Sequence, residues 1–279
     1  MSAEPVTDGD ATTVATRREV SRRQRRTSGT SGSSGSSRGW GVVGVVGELF
    51  ITLGVLLLLF VAWQLWWTDV VANRAADATR HALLNEFRSG KAPDAKVPGG
   101  LIEGKAFALI YIPRFGADYV RPILEGTDTA SLQSGVGHYV GTAAPGAVGN
   151  FAVAGHRTTW GRPFHDIDTL VAGDAIIVET RSGYDVYAVS GHEIVAPTAV
   201  EVIAPVPDQR GVAPTQALLT MTACHPKYSA QQRYVVHAVL ARTYTREEGL
   251  PASLLRSPSL GTPLPSGVAS PSASPSGGG

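Results

Sequence analysis

The chain has 279 residues, which allows one or two domains and a sizeable hydrophobic core. Its formal net charge is +1, so the overall charge gives no sign of a nucleic-acid partner. Cys224 is the single cysteine, which excludes a disulfide within the chain. The roles left open for it are a buried structural thiol, a metal ligand, an intermolecular disulfide or a nucleophile.

The N-terminal segment is basic and poor in apolar residues. Residues 1–39 combine seven arginines with serine, threonine and glycine. Such a segment cannot bury enough apolar surface to offset the entropy that ordering would cost. We therefore predict that residues 1–39 are disordered.

Residues 40–67 are predicted to form a transmembrane helix. Glu48 is the only charged residue between Gly41 and Trp63, and a bilayer core needs about 20 apolar residues in a helix. Tryptophans close the stretch like an interfacial belt, and no small-residue cleavage site follows, so we expect a retained span rather than a secretory signal. Because the arginines precede it, the positive-inside rule predicts a cytoplasmic N-terminus and an extracellular chain from Thr68 onward.

The flanks of the remaining chain differ from its centre in composition. Residues 68–104 are predicted to form an extracellular stalk and linker, helical at first and then rich in proline and glycine. Residues 247–279 end in a serine, proline and glycine sequence without charge and are predicted to be a disordered tail. The folded domain is therefore expected at 105–246.

This central part has the pattern of an all-β domain. Apolar runs that read as short strands include "AFALIYIP", "YVRPILEG", "FAVAGH", "ALLTMTAC" and "RYVVHAVLART". The segment "AIIVETRSGYDVYAVSGHEIV" reads as a hairpin around Arg181, Ser182 and Gly183. Short strands separated by glycine and proline predict a closed barrel or a sandwich.

Cys224 ends one of these strands and Arg233 begins the next. If both side chains face the same side of a hairpin, the arginine lies near the thiol, where a forked cation could bind an oxyanion or a carbonyl. His156 follows the strand "NFAVAG" and could supply an acid or base. The alternatives at this point are a buried thiol, a surface arginine and a structural histidine.

Two other histidines, and the residues that could bind a metal, lie near these motifs. His225 adjoins Cys224, but neighbours on a strand point to opposite faces, so it is expected to point away. His138 in "GVGHYVGT" is a candidate substrate-pocket residue. No cysteine and histidine pair has zinc spacing, and "HDID" does not form a calcium loop, so we expect no metal.

Taken together, three motifs resemble those of the sortase family. "LTMTAC" followed by Arg233 resembles the family's Thr-Leu-x-Thr-Cys…Arg signature, and "GNFAVAGHR" resembles the strand that carries its catalytic histidine. "RPILEGTDTASLQSGVGHYVGTAAPG" resembles the segment that connects the first strands. The motifs occur in the family's order, and their context is most similar to the class E housekeeping sortases of actinomycetes.

The resemblance implies an eight-stranded sortase-type β-barrel with short helices, no cofactor, and a membrane-anchored cysteine transpeptidase. It implies that Cys224 is the nucleophile, His156 the acid/base residue and Arg233 the oxyanion or substrate clamp. Tyr139, Thr222 and His138 become candidates for binding the substrate. One departure is Ala223, which stands where the signature has threonine and lacks any contact that a hydroxyl would make.

The implied reaction cleaves a Leu-Ala/Pro-x-Thr-Gly sorting motif between threonine and glycine and joins the threonine carbonyl to an amine. The implied partners are secreted proteins with a C-terminal sorting signal and a lipid II-type peptidoglycan precursor, at the plasma membrane and without nucleic acid. Two other functions remain possible from the sequence: a membrane-tethered binding module that has lost the chemistry, and a hydrolase of the same motif.

Overall fold

The structure is a computed structural model that describes residues 37–95 and 100–260. Most of the predicted basic segment, residues 1–36, lies outside these ranges, as does the tail from residue 261. The chain divides within its first helix into two units, residues 1–55 and 56–279. The helices and strands of the described residues are α1 (Ser37–Ser89), β1 (Ala106–Tyr111), β2 (Val120–Glu125), α2 (Thr129–Ser134), β3 (Val136–His138), β4 (Gly149–Ala154), β5 (Ala175–Thr180), β6 (Gly183–Val195), β7 (Ala217–His225), β8 (Gln232–Thr245) and α3 (Ala252–Arg256). Short 3₁₀ turns occur at Pro113–Phe115, Ile167–Thr169 and Val200–Ile203.

Helix α1 joins the predicted membrane span and the predicted stalk into one element. The chain has no glycine or proline between Gly54 and Gly90, so nothing in this stretch breaks the helix. The helix ends at Ser89, and Gly90 follows with φ +68°, a left-handed conformation that suits glycine after a helix. Within the described residues, one helix is long and apolar enough to cross a membrane: Val43–Ser89, with a mean hydropathy of 2.6 over its most apolar window.

The eight strands close into a barrel in the order β1-β2-β3-β4-β7-β8-β6-β5. The pairs β2–β3 and β4–β7 are parallel, and the other neighbours are antiparallel. The eight-stranded sortase-type barrel predicted from the sequence is confirmed. The predicted hairpin also forms, because β5 and β6 pair from Thr180↔Gly183 onward.

Along three neighbouring strands, side chains point alternately into the barrel and toward its outer face. On β7, Leu219, Met221 and Ala223 belong to the hydrophobic core. The core also takes Phe151 and Val153 from β4, and Tyr234, Val236 and Ala238 from β8. Because successive strand residues point to opposite faces, the even-numbered residues of β4 and β7 and the odd-numbered residues of β8 face outward.

A second apolar cluster attaches the C-terminal part of α1 to the barrel. Leu83 and Phe87 of the helix, with Ala92 just after it, pack against Leu109 of β1 and Val120 of β2. Burying a leucine or phenylalanine side chain contributes about 1.5–3 kcal/mol. The predicted stalk is therefore held against the outside of β1 and β2.

The segment after β8 is ordered over part of the predicted tail. Residues 247–260 contain α3 and return to the barrel, where Ser259 forms a β-bridge with Asp174. Backbone hydrogen bonds from Ala175 N to Pro258 O (2.7 Å) and from Leu260 N to Gly173 O (3.0 Å) fix this return. The prediction of a disordered tail rested on side-chain composition, which carries no information about hydrogen bonds made by the backbone alone.

Candidate active site

Cys224 and Arg233 lie directly opposite each other across the β7–β8 ladder. Opposed residues of an antiparallel pair share a face, and their Cβ atoms are about 4.5–5.5 Å apart. Cys224 is a free, half-buried thiol. Arg233 is also half-buried, and its Nη1 donates hydrogen bonds to the carbonyl oxygens of Ala230 and Gln232, both at 3.0 Å. The hairpin that follows the cysteine therefore orients the guanidinium.

His156 reaches the same place from the other side of β7. Strand β4 runs parallel to β7, with Ala154 opposite Thr222. Gly155 N then donates to Thr222 O (3.1 Å), which continues the pairing beyond the end of β4. His156 is the next residue, so it stands just beyond the end of β4, beside the part of β7 that carries Cys224.

The surroundings of His156 favour its neutral form. The side chain is half-buried, and this burial lowers the pKa of its ring from the ordinary value near 6.5. At neutral pH the free protein therefore holds a mostly uncharged imidazole, which can accept a proton. A ring in this state suits general base chemistry beside a thiol.

Tyr139 and Thr222 lie together beside this group. Their hydroxyl oxygens are 2.9 Å apart in a hydrogen bond. Thr222 is buried and faces outward from β7 like Cys224, whereas Tyr139 is partly exposed just after β3. The two hydroxyls thus form one polar feature adjoining the thiol.

His138, in contrast, points into the barrel. It is 2% exposed, with Nδ1 2.5 Å from Glu125 Oε2 and Nε2 2.8 Å from Thr142 Oγ1. Its ring also contacts the core rings of Phe107 and Phe151. The structure does not bring His138 to the outer face with Cys224, Arg233 and Thr222, because alternation along β3 turns it inward.

The departure at Ala223 also has a structural setting. Ala223 is 3% exposed and belongs to the hydrophobic core. Its side chain points into the barrel, whereas the side chain of Cys224 points outward. A threonine here would direct its hydroxyl to the interior rather than to a substrate on the outer face.

Arg157 is a residue of this site that the sequence analysis missed. It is 2% exposed, and its guanidinium binds Asp168 at 2.6 Å. The same group lies 3.4 Å from the carbonyl oxygen of Cys224 and 3.1 Å from Nδ1 of His225, and it stacks over Tyr234 at 5.5 Å. The sequence did hold a signal for this contact: an arginine directly follows His156, and the nearby segment "HDID" contains Asp168, its carboxylate partner.

His225 takes part in this support rather than facing the thiol. Its Nδ1 accepts from Arg157, and its ring lies 5.7 Å from that of Tyr234. Both neighbours lie on the side of β7 that faces away from Cys224 by strand alternation.

One group of side chains among residues 37–95 and 100–260 has the composition of a metal site. Ligand atoms of Glu193, Asp208 and His237 lie within 4.8 Å of one another. The group closes on itself, since His237 Nε2 is 2.9 Å from Glu193 Oε1 and Nδ1 is 3.0 Å from Thr220 Oγ1. The hydrogen bond from His237 lowers the pKa of Glu193, whereas burial and the nearby Glu193 raise that of Asp208. These contacts describe a hydrogen-bonded polar cluster.

The sequence of the barrel is similar to that of known proteins. A family model described as Sortase domain matches residues 110–241. The chain is 38% identical over 217 residues to sortase SrtE1 of Streptomyces coelicolor, an alignment that covers 75% of this chain and 60% of the relative. It is 33% identical over 208 residues to SrtE2 of the same organism, covering 71% of this chain and 81% of the relative.

A solved structure shows the same fold. Sortase E from Streptomyces avermitilis is 43% identical, with a TM-score of 0.50, over 55% of this chain and 99% of that chain. The protein therefore belongs to the sortase family, whose members are cysteine transpeptidases. The resemblance predicted from the motifs, including its class E character, is confirmed.

The role of Arg157 gives a first prediction. In Arg157→Lys, an ammonium cannot reach Asp168, His225 and the Cys224 carbonyl together, although the charge remains. We expect the free energy of unfolding to fall by about 2 kcal/mol, measured by urea titration of the protein from residue 68 onward. The matched control is Arg242→Lys, an exposed arginine over Tyr244 at 5.9 Å, which should change stability by about 0.5 kcal/mol or less. Equal effects of the two substitutions would contradict the supporting role of Arg157.

Proposed function

We propose that this chain is a membrane-anchored cysteine transpeptidase that cleaves a Leu-Ala/Pro-x-Thr-Gly sorting motif between threonine and glycine. It then joins the threonine carbonyl to an amine of a cell-wall precursor. The observation that carries the proposal is that Cys224 pairs with Arg233 across β7 and β8, while His156 follows the end of the adjacent strand β4. Membership of the sortase family supports the reaction class.

The first half of the reaction forms a thioester. Neutral His156 takes the proton from the Cys224 thiol, and Sγ attacks the threonine carbonyl carbon, so that a C–S bond forms and the carbonyl oxygen becomes an oxyanion. When this tetrahedral intermediate collapses, the C–N bond to glycine breaks. The leaving amine receives the proton that His156 holds, which returns the ring to its neutral form.

Arg233 is suited to stabilise the oxyanion. Its guanidinium has five N–H donors. The carbonyl oxygens of Ala230 and Gln232 in the hairpin both accept from Nη1. The remaining donors can face the substrate. A permanently charged donor set in a fixed orientation lowers the energy of the developing negative charge without reorganising during the reaction.

The second half of the reaction transfers the acyl group. An incoming amine attacks the thioester carbon, a C–N bond forms, and the C–S bond breaks. His156 accepts the proton that the amine loses and returns it to the departing thiolate. Water could attack in place of the amine, and that outcome would make the protein a hydrolase of the same motif.

Recognition of the motif is assigned to the outer face beside Cys224. The hydroxyl pair of Tyr139 and Thr222 adjoins the thiol and can hydrogen-bond a peptide laid across β7. In this proposal these two residues contact the residues of the sorting motif that precede the threonine. The donors of such a motif are secreted proteins that carry it near their C-termini.

The anchor determines where the reaction takes place. Helix α1 is long and apolar enough to span the membrane, and the arginines that precede it favour a cytoplasmic N-terminus. The barrel then lies outside the cell, where secreted proteins and a lipid II-type amine acceptor are available. No nucleic acid or metal takes part in the proposed reaction.

Topology can be tested with tags on the full chain in whole cells. An N-terminal tag should be protected from added protease, and a C-terminal tag should be digested, because the arginine-rich side of the span stays in the cytoplasm. Immunoblots against each tag, with lysed cells as the control for protease access, give the readout. Digestion of the N-terminal tag alone in intact cells would contradict the extracellular placement.

Substitutions at the outer face test the chemistry. Cys224→Ala should abolish cleavage and transfer, because the chain has no second thiol to form the thioester. Arg233→Lys keeps the charge but loses the planar fork, so kcat should fall about 10²-fold with a smaller change in KM. His156→Ala should be similarly severe. The assay follows a Leu-Ala-x-Thr-Gly peptide with triglycine as the amine, and analyses products with and without the amine.

His225→Ala is the matched control for His156→Ala, because its ring faces Arg157 rather than the thiol. It should cost far less activity. The assignment is falsified if His225→Ala is inactive while His156→Ala works normally. Failure of wild-type Cys224 to react with a small thiol reagent near neutral pH, together with no cleavage, would favour a tethered binding module instead.

A further inference from the structure

We propose that the turn of α1 just beyond its apolar stretch is a positioning element of the active site. Asp69 holds the tip of the loop formed by residues 157–164, called here the loop 157–164, and this loop fixes the position of His156. The inference rests on the proposed function, because it takes His156 to be the acid/base residue. Asp69 and the loop 157–164 both belong to the unit formed by residues 56–279.

Two bonds join Asp69 to the tip of the loop. Its Oδ1 accepts from the backbone N–H of Gly161 at 3.0 Å, and its Oδ2 lies 3.0 Å from Nε of Arg162. Asp69 is 19% exposed at its side chain, whereas Arg162 is 47% exposed. One carboxylate thus binds both the backbone and a side chain at the point where the loop turns.

The tip of the loop lies so close to the helix that a side chain at Gly161 would have to displace Asn73. A Cβ atom on Gly161 would lie 2.9 Å from Oδ1 of Asn73 and 3.6 Å from Cβ of Ala72. Asn73 is itself bound, since Nη2 of Arg121 on β2 donates to its Oδ1 at 3.1 Å. The contact is therefore a packed interface between α1, β2 and the loop.

The backbone at the tip adopts a conformation that needs such support. Trp160, Gly161 and Arg162 have φ values of 53°, 75° and 47°, all in the left-handed region. For a residue with a side chain this conformation costs roughly 1–2 kcal/mol, and it is retained only where surrounding contacts hold the backbone in it. Asp69 makes such contacts, because it binds Gly161 through the backbone N–H and Arg162 through the side chain.

The other end of the loop is coupled directly to His156. Phe164 N donates to the carbonyl oxygen of His156 at 3.0 Å. The buried ring of Phe164 packs on Gly155, where an added Cβ would lie 2.6 Å from the ring. Tyr119 donates from its hydroxyl to Pro163 O at 2.5 Å. A shift at the tip is thus transmitted through a closely packed chain to the backbone of His156.

Asp69 lies close in the chain to the apolar stretch of α1. It follows Trp67 by two residues, which is about 3 Å along a helix axis. The helix that carries the apolar stretch therefore also holds the active-site loop. A soluble domain that begins after Asn73 would keep the barrel and lose this contact.

The test compares Asp69→Ala with Asp77→Ala in the detergent-solubilised full chain. Asp77 is an exposed carboxylate on the same helix and is the matched control. Per folded enzyme, Asp69→Ala should lower kcat about tenfold, because small displacements of a catalytic group cost large factors in rate, and KM should stay within about twofold. Asp77→Ala should have the wild-type kcat. Thermal unfolding of each purified variant gives its folded fraction, by which the measured rate is divided to obtain kcat per folded enzyme.

Conservative and partner variants separate positioning from simple stability. Asp69→Asn keeps an oxygen that can accept from Gly161 N–H and loses the charge that binds Arg162, so its kcat should lie between those of wild type and Asp69→Ala. Arg162→Ala leaves the helix unchanged, should lower kcat less than Asp69→Ala, and serves as the test if Asp69→Ala does not fold. Wild-type kcat in all three variants, or a change in KM alone, would overturn the proposal.

A measurement without turnover distinguishes failure of this inference from failure of the proposed function. In hydrogen exchange followed by mass spectrometry, peptides covering 157–164 should exchange faster in Asp69→Ala than in Asp77→Ala. If wild type proves inactive on the peptide while this difference is present, the proposed function fails and the contact stands. Equal exchange in the two variants overturns the inference whatever the activity.

Discussion

The register of β7 between its two neighbours is the constraint on which the site depends. Strand β7 pairs in parallel with β4 and in antiparallel with β8. The second register puts Arg233 opposite Cys224, and the first ends at Ala154, two residues before His156. A slip of one residue in either ladder would turn a partner to the opposite face of the barrel. The hydrophobic core prevents such a slip, because it requires Leu219, Met221 and their neighbours on the inside.

Strand pairing alone does not fix the ends of these strands, where the reactive side chains lie. His156 and Arg233 stand next to loops, and each loop has its own attachment. The guanidinium of Arg157 binds the carbonyl of Cys224 and the carboxylate of Asp168. Asp69 holds the loop after His156 from the side of α1. Charged groups thus bind backbone atoms at the edge of the barrel, next to the reactive side chains.

The sequence predicted the barrel and the meeting of its motifs better than it predicted side-chain direction. Alternation and the family's motifs were sufficient for the eight-stranded barrel and for the pairing of Cys224 with Arg233. They did not reveal that His138 points inward, because β3 is only three residues long and its face depends on pairing with β2 and β4. Asp69 was missed for a similar reason, since its partners Gly161 and Arg162 are distant in the chain. Arg157 was missed although its partner Asp168 lies in the nearby "HDID" segment.

The central claim is that Cys224 forms a covalent acyl bond with the threonine of a sorting motif. The most direct measurement is intact-mass and tandem mass spectrometry of the protein quenched in acid during reaction with a Leu-Ala-x-Thr-Gly peptide, without an amine acceptor. We expect a mass increase equal to the acyl part of the peptide up to threonine, located on Cys224 and removed by added triglycine. Cleavage of the peptide with no adduct, or with an adduct on another residue, would contradict it.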